Sequence, residues 1–407
     1  MNILFISSLY PVTPNNDSTL ITRALHNLVK HWNQESRVIV VRPVYLYPSE
    51  ILKKIITRKS SSSIPKNFRK KFFTLDDIPV IVYPIYKIPK ITYFFKPLYS
   101  FLDRYFRKID FTPDIIIAHY DKSLHIGYTY SQRHQIPLVS GIHITPDLMT
   151  KDPADFTKRC RHILEKSTAI ACRSNYIYNT IIQWFPQYRE KCFIAFSGVQ
   201  EQFINNPTTS IQRINSWKTT NTLFLITVSS LIERKKLDTI LIALSKIKDK
   251  LDKLQWNFTI IGEGEEKENL QTLAKNLNIH NQVIFKGNLP HNQVMEELKK
   301  SNIFILVSYL ETFGLVYLEA MAAGNLVIGA ENEGIDGIIK HGQNGFLSPA
   351  GDPQSLTRLL EEILFHQSPQ QLEHILIQAH ETILKYTDRN AAKNYLQHLP
   401  VPDSQKQ

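Results

Sequence analysis

The chain has 407 residues, enough for two or three domains that each bury a core. Hydrophobic residues make up 43% and charged residues 21%, a globular composition that excludes a low-complexity or disordered chain. The formal net charge of +11 sits in the first half: residues 1–200 carry 28 Lys and Arg against 14 Asp and Glu, residues 201–407 carry 20 against 23.

Ile3–Ser7 is apolar and closely followed by Pro11, too short for a signal sequence, and reads as a first buried strand. The loop after it, Asn15-Asn-Asp-Ser-Thr19, contains no glycine. Arg37–Val41 reads as a second strand. Lys53, Lys54, Arg58, Lys59, Lys66, Arg69, Lys70 and Lys71 then form a basic run with no acidic residue. Tyr93, Phe94, Phe95, Tyr99, Phe101, Tyr105 and Phe106 follow, interleaved with Lys90, Lys96, Arg104, Arg107 and Lys108. Basic plus aromatic suits an anionic membrane surface, and equally a solvated face. Nucleic acid is not expected, because no nucleic-acid-binding motif occurs.

Val80–Tyr83, Asp114–Ala118, Leu138–Ser140, Ala169–Cys172 and Lys191–Ala195 continue the strand series. Asn205–Ser210 is polar and turn-rich and is expected to link two domains. Leu223–Val228, Asn257–Ile261, Val283–Lys286, Ile303–Val307 and Leu326–Gly329 open a second series, with helical stretches between. Beyond Asp352 the chain reads as helical to about residue 397, broken at Ser368-Pro369. Cys160, Cys172 and Cys192 have neither metal-ligand spacing nor an even count, as in a reduced cytoplasmic protein. No run approaches the ~18 apolar residues of a membrane span, so a soluble or peripheral chain is expected.

The densest chemistry lies in Ser308-Tyr-Leu-Glu-Thr-Phe-Gly-Leu-Val-Tyr-Leu-Glu-Ala-Met-Ala-Ala-Gly324, where Glu311 and Glu319 stand eight positions apart. A strand feeding a loop that opens a helix would aim the amides of Phe313, Gly314 and Leu315 at a phosphate. Glu311 as a helix cap and Glu319 as a solvated helical residue is the ordinary structural alternative. The glycines of Gly262-Glu-Gly264, after a strand, would let a ligand approach the backbone, or make a plain turn.

This succession, with the later Glu333-Gly-Ile-Asp-Gly and Asn344-Gly-Phe-Leu347, resembles the signature of the family 4 retaining glycosyltransferases. The resemblance implies the α/β GT-B fold: an acceptor-binding Rossmann-like domain over 1–205, a sugar-nucleotide domain over 206–384, and a C-terminal helix and tail over 385–407. The two domains would face a central cleft, with that helix returning to the first. It implies transfer of a sugar from a UDP- or GDP-sugar to a glycolipid or polysaccharide acceptor with retention, giving an α-glycoside at the cytoplasmic face of a membrane. A GT-B sugar-nucleotide epimerase or a non-catalytic partner subunit are the alternatives.

By the same resemblance, the donor site would contain Ser230, Lys235, Gly262, Gly264, Asn288, Glu311, Phe313, Gly314, Leu315 and Glu319. Glu311 would hold the donor sugar and Glu319 the ribose, with Lys235 at the diphosphate. Ser230 stands where the family usually has an Arg, and Arg234 offers a replacement charge. His119 would lie at the reaction centre, and Ser18, Thr19 and His143 on the acceptor side. Ser197-Gly-Val199 resembles the family's Asn-Gly-Val turn. No cofactor is implied, since the nucleotide-sugar is a substrate. No metal is implied either, because the sequence contains no Asp-x-Asp.

Overall fold

A computed structural model describes residues 1–12, 23–46, 70–86, 96–143 and 153–400. Ser18, Thr19 and the basic run from Lys53 to Arg69 lie outside the described residues. So do Lys90, Tyr93, Phe94 and Phe95 of the aromatic segment.

The first sheet contains β1 (Asn2–Ser7), β2 (Arg37–Leu46), β3 (Lys71–Leu75), β4 (Ile78–Tyr86), β5 (Ile115–His119), β6 (Leu138–Ile142), β7 (Ala169–Cys172) and β8 (Cys192–Ile194). Their order is β3-β4-β2-β1-β5-β6-β7-β8, parallel except for the antiparallel β3–β4 pair. Strands β1, β5, β6 and β7 are buried almost throughout, as expected of a sheet covered on both faces. Helices α1 (Ala24–Glu35), α2 (Lys96–Lys108), α3 (Asp121–His134), α4 (Pro153–Lys166) and α5 (Asn175–Trp184) connect them. The last four pack on one face through Leu98, Leu124, Cys160 and Ile177, and α1 packs on the other through Leu28 and Trp32.

The second sheet contains β9 (Thr222–Val228), β10 (Gln255–Ile261), β11 (Val283–Gly287), β12 (Ile303–Ile305), β13 (Leu326–Ala330) and β14 (Phe346–Ser348). Its order is β11-β10-β9-β12-β13-β14, parallel throughout. Its helices are α6 (Pro207–Thr220), α7 (Leu237–Lys246), α8 (Lys267–Asn276), α9 (His291–Lys300), α10 (Leu315–Ala322), α11 (Pro353–Glu361) and α12 (Pro369–Ile383). Asn205–Ser210 is not a linker along its length. Asn206 accepts from the amide of Thr208 and caps α6, and Pro207 takes the first helical position, where its missing N–H costs nothing.

After α12 the chain returns to the first sheet. Val199 donates to Tyr386 O (3.0 Å) and accepts from the Asp388 amide (2.9 Å), so two chain crossings lie side by side. A Cβ on Gly198 would fall 2.1 Å from the carbonyl atoms of Thr387, so only glycine fits this crossing. The final helix, α13 (Asp388–Gln397), then packs on α1: Trp32 Nε1 donates to Ala392 O (3.2 Å), and Ala391, Ala392 and Tyr395 enter the first sheet's core.

Both sheets change direction at an internal strand pair, β1/β5 in the first and β9/β12 in the second. The carboxyl ends of strands at such reversals leave a crevice where α/β sheets bind ligands.

Candidate active site

The β9/β12 reversal brings two loops together. Residues after β9 form a single 3-10 turn, Glu233–Lys235, that buries Lys235. The loop after β12 contains Ser308 and Glu311 and ends at Gly314, whose φ of +74° makes a left-handed N-cap for α10. Lys235 Nζ donates to Glu311 Oε2, Ser308 Oγ donates to the same oxygen (3.2 Å), and Arg234 Nη1 stands 3.9 Å away. Burial pushes the Glu311 carboxyl up, but the Lys235 charge and hydrogen bond, with Arg234 and Ser308, outweigh it and hold the group below its usual value. Glu311 is therefore an anion gripped by cations and not a cap for α10, which has no side-chain cap.

Glu333 supports this arrangement. Its Oε2 accepts from the Glu311 amide (2.6 Å), and the Gly334 amide donates to Glu311 O (2.9 Å). A Cβ on Gly334 would come within 2.4 Å of the Thr312 backbone, so the two loops touch main chain to main chain. Burial raises the Glu333 carboxyl above its normal range.

Glu319 lies on α10 beyond the helix N-terminus and meets His291, the first residue of α9, at 2.8 Å. That carboxylate raises the His291 pKa against the opposing effect of burial. The Phe313, Gly314 and Leu315 amides open α10, as its dipole requires for an anion site. Ser230 and Asn288 are exposed loop residues. A Cβ on Gly262 would meet Ser229 O at 1.8 Å, and one on Gly264 would meet Leu231 O at 2.1 Å. These glycines are demanded by the neighbouring protein backbone, as in a tight turn. Arg234 Nη1 and Ser229 Oγ are buried and find no hydrogen-bond partner among the described residues.

The other reversal, β1/β5, presents His119 at the end of β5. Its ring is completely buried: Nδ1 lies 2.9 Å from His143 Nε2, and Nε2 lies 2.8 Å from the Tyr395 hydroxyl on α13. Burial and the Arg173 charge hold both histidines well below their ordinary pKa, so the pair is neutral. A neutral ring has one N–H and one acceptor, which fits one donor and one acceptor neighbour. Protein groups occupy both nitrogens of His119 in this arrangement. The partly exposed His143 is the outward member of the pair. Tyr395, His291, Glu333 and Arg173 were not singled out from the sequence as site residues.

The chain has parallels among known proteins. The profile described as glycosyl transferases group 1 matches residues 209–381, and that of glycosyltransferase family 4 matches residues 21–203. The chain belongs to the family 4 glycosyltransferases. Similar proteins include the D-inositol 3-phosphate glycosyltransferase of Streptomyces avermitilis, 26% identical over 265 residues, which cover 61% of this chain and 57% of that one. The chain thus matches little more than half the length of that relative. The lipopolysaccharide core biosynthesis glycosyltransferase LpsE of Rhizobium meliloti is 30% identical over 141 residues, covering 34% of this chain and 40% of that one. Among solved structures, HepE of Anabaena in complex with UDP aligns with a TM-score of 0.72 at 18% identity, covering 98% of this chain and 99% of that one. The sucrose-phosphate synthase of Thermosynechococcus elongatus aligns at 0.71 and 16%, with 97% of both chains covered. The family 4 chain therefore has the GT-B fold.

Proposed function

We propose that this family 4 glycosyltransferase moves a sugar from a UDP- or GDP-sugar to a glycolipid or polysaccharide acceptor, with retention, in the synthesis of cell-surface polysaccharide or glycolipid. The observation that carries this reading is the Glu311–Lys235 pair set before the amide end of α10, with Arg234 beside it. Lys235, Arg234 and the α10 amides would neutralise the diphosphate that leaves, a preorganised electrostatic site. The orphaned Arg234 Nη1 and Ser229 Oγ offer donors for phosphate or sugar oxygens at the same loop. Glu311 would accept from donor-sugar hydroxyls, and Glu319, released from His291, from the ribose. HepE, with the same fold, is described in complexes with UDP and UDP-glucose, which supports a nucleotide-sugar donor here.

In the reaction the acceptor oxygen bonds to the anomeric carbon while the bond from that carbon to the diphosphate breaks on the same face. The acceptor's proton passes to the departing phosphate oxygen. The charges at the donor phosphates come from side chains and amides, so no metal is required. The reading is tested by following nucleoside diphosphate release with and without a glycolipid acceptor. Release that depends on the acceptor supports transfer; interconversion of the sugar nucleotide without acceptor supports an epimerase instead.

The acceptor is proposed to come from an anionic membrane surface, at the cytoplasmic face. No helix among the described residues is long and apolar enough to cross a membrane. Phe72 on the edge strand β3 is 52% exposed and stands 5.9 Å from Phe101 and 5.5 Å from Tyr105 of α2. Lys70 Nζ lies 4.2 Å from the Phe101 ring centre. Aromatic rings flanked by cations suit the interface of an anionic bilayer.

A further inference from the structure

Arg173, next after β7, is 5% exposed, and the donor site above does not use its charge. Its Nη1 donates to Ala195 O (3.0 Å) and its Nη2 to Ser197 Oγ. Both acceptors are neutral, and no carboxylate among the described residues comes within ion-pair distance. Burial lowers its pKa to about 10, which leaves it charged at neutral pH. Buried charges are ordinarily paired, so the missing counter-charge asks for an explanation.

The position supplies one. The guanidinium carbon stands 5.9 Å from the ring centre of Phe313, the residue before the Gly314 N-cap of α10. On its own side it acts electrostatically on both His119 and His143. Arg173 thus lies between the histidine pair of the first sheet and the amide-rich helix end of the second. Ser230 leaves the donor loop one cation short of the family pattern, and Arg173 faces that helix end from the opposite wall.

We infer that Arg173 is the counter-charge for an anionic group, phosphoryl or carboxylate, bound between the two sheets. Guanidinium has a planar fork that matches both chemistries, and three of its N–H groups remain after Ala195 and Ser197 are served. Because Ala195 and Ser197 lead into the Gly198 crossing, an anion there would also brace the point where the chain passes between the sheets. The source of the anion, a donor diphosphate or an acidic acceptor, rests on the proposed transferase reading; the anion site itself does not.

The test uses inorganic pyrophosphate, titrated calorimetrically into the full chain and into R173Q and R173K, each checked for folding by thermal melting. Glutamine keeps a hydrogen bond to Ala195 without the charge; lysine keeps the charge without the fork. The expected result is a tenfold or greater loss of pyrophosphate affinity in R173Q and a loss of only a few-fold in R173K. No pyrophosphate binding by the unaltered chain, equal affinity in R173Q, or an equally large loss in a folded R173K would overturn the inference; the last would make Arg173 a scaffold for Ser197. UDP titration and acceptor KM then separate the sources. A parallel loss of UDP affinity assigns the anion to the donor, and unchanged UDP affinity with a raised KM for an acidic acceptor assigns it to the acceptor. Pyrophosphate binding is read without turnover, so a protein inactive as a transferase still decides the question.

Discussion

The Tyr395 hydroxyl, on the last helix, lies 2.8 Å from Nε2 of His119, on the fifth strand, across 276 positions of sequence. The C-terminal helix thereby fixes the ring that in turn orients His143. Tyr395→Phe should leave a buried ring nitrogen unserved and cost about 1–3 kcal/mol of stability. It should lower kcat more than it weakens nucleotide binding, because the proposed nucleotide site belongs to the other sheet. Equal kcat in wild type and Tyr395→Phe would show that the tether only stabilises the fold.

The neutral histidine pair also sets a pH dependence. Both rings have folded-state pKa values depressed below an unfolded value near ~6.5. The unfolded chain therefore binds more protons below about pH 6.5, and stability should fall as pH drops through that value, by at most about 1.4 kcal/mol per pH unit for each ring. Above it their contribution should be constant. Melting temperatures between pH 8 and 5 should show a shallower acid decline in His143→Asn; an identical decline would place the titration elsewhere.

Lys235 and Glu311 form a largely buried pair, with side chains 10% and 12% exposed. Removing one partner should cost about 3–5 kcal/mol by stranding the other charge. Glu311→Gln, which keeps shape and hydrogen bonding, is the better probe of turnover than Glu311→Ala. It should retain nucleotide binding and lose most activity with the intact donor. Full activity in Glu311→Gln would remove Glu311 from the donor-sugar site.

Glu319 offers two carboxylate oxygens, one now taken by His291. Hydrogen bonds to a charged group contribute roughly 1.5–3 kcal/mol, so Glu319→Ala should weaken nucleoside diphosphate binding by about 10- to 100-fold. A deoxyribose nucleotide should lose much less on that substitution. An equal loss for ribose and deoxyribose forms would mean that Glu319 does not contact the sugar ring of the nucleotide.

Activity should survive EDTA, since Lys235, Arg234 and the α10 amides are proposed to serve the phosphates. Loss on chelation, restored by Mn²⁺ or Mg²⁺, would overturn the donor-site account. Binding to acidic liposomes should decline steeply with salt and with the combined change Lys70→Ser, Lys71→Ser and Phe72→Ser; equal binding to neutral vesicles would contradict an anionic docking face.

Most of the sheet architecture was legible because parallel, doubly covered strands are short continuous apolar runs, as in Ile115–Ala118 and Leu326–Gly329. Strand β3 was not, because Phe72 and Phe73 follow Lys70 and Lys71 and the strand lies on an antiparallel edge. Strand β14 was hidden inside a motif only three residues long as a strand. Glu311 and Glu319 could be picked out by local pattern, and Lys235 through the family resemblance. Tyr395 and Arg173 could not, since their meaning arises from partners on other strands and helices.

The most direct test of the central claim is nucleotide binding by thermal shift across UDP, GDP and their sugars, with Lys235→Met as the control. A ligand at a hundredfold excess over its dissociation constant stabilises the native state by about 2.7 kcal/mol, a readable rise in melting temperature. The account predicts such a rise with one nucleoside diphosphate and its loss in Lys235→Met. No rise with any nucleotide, or the same rise in Lys235→Met, would contradict it.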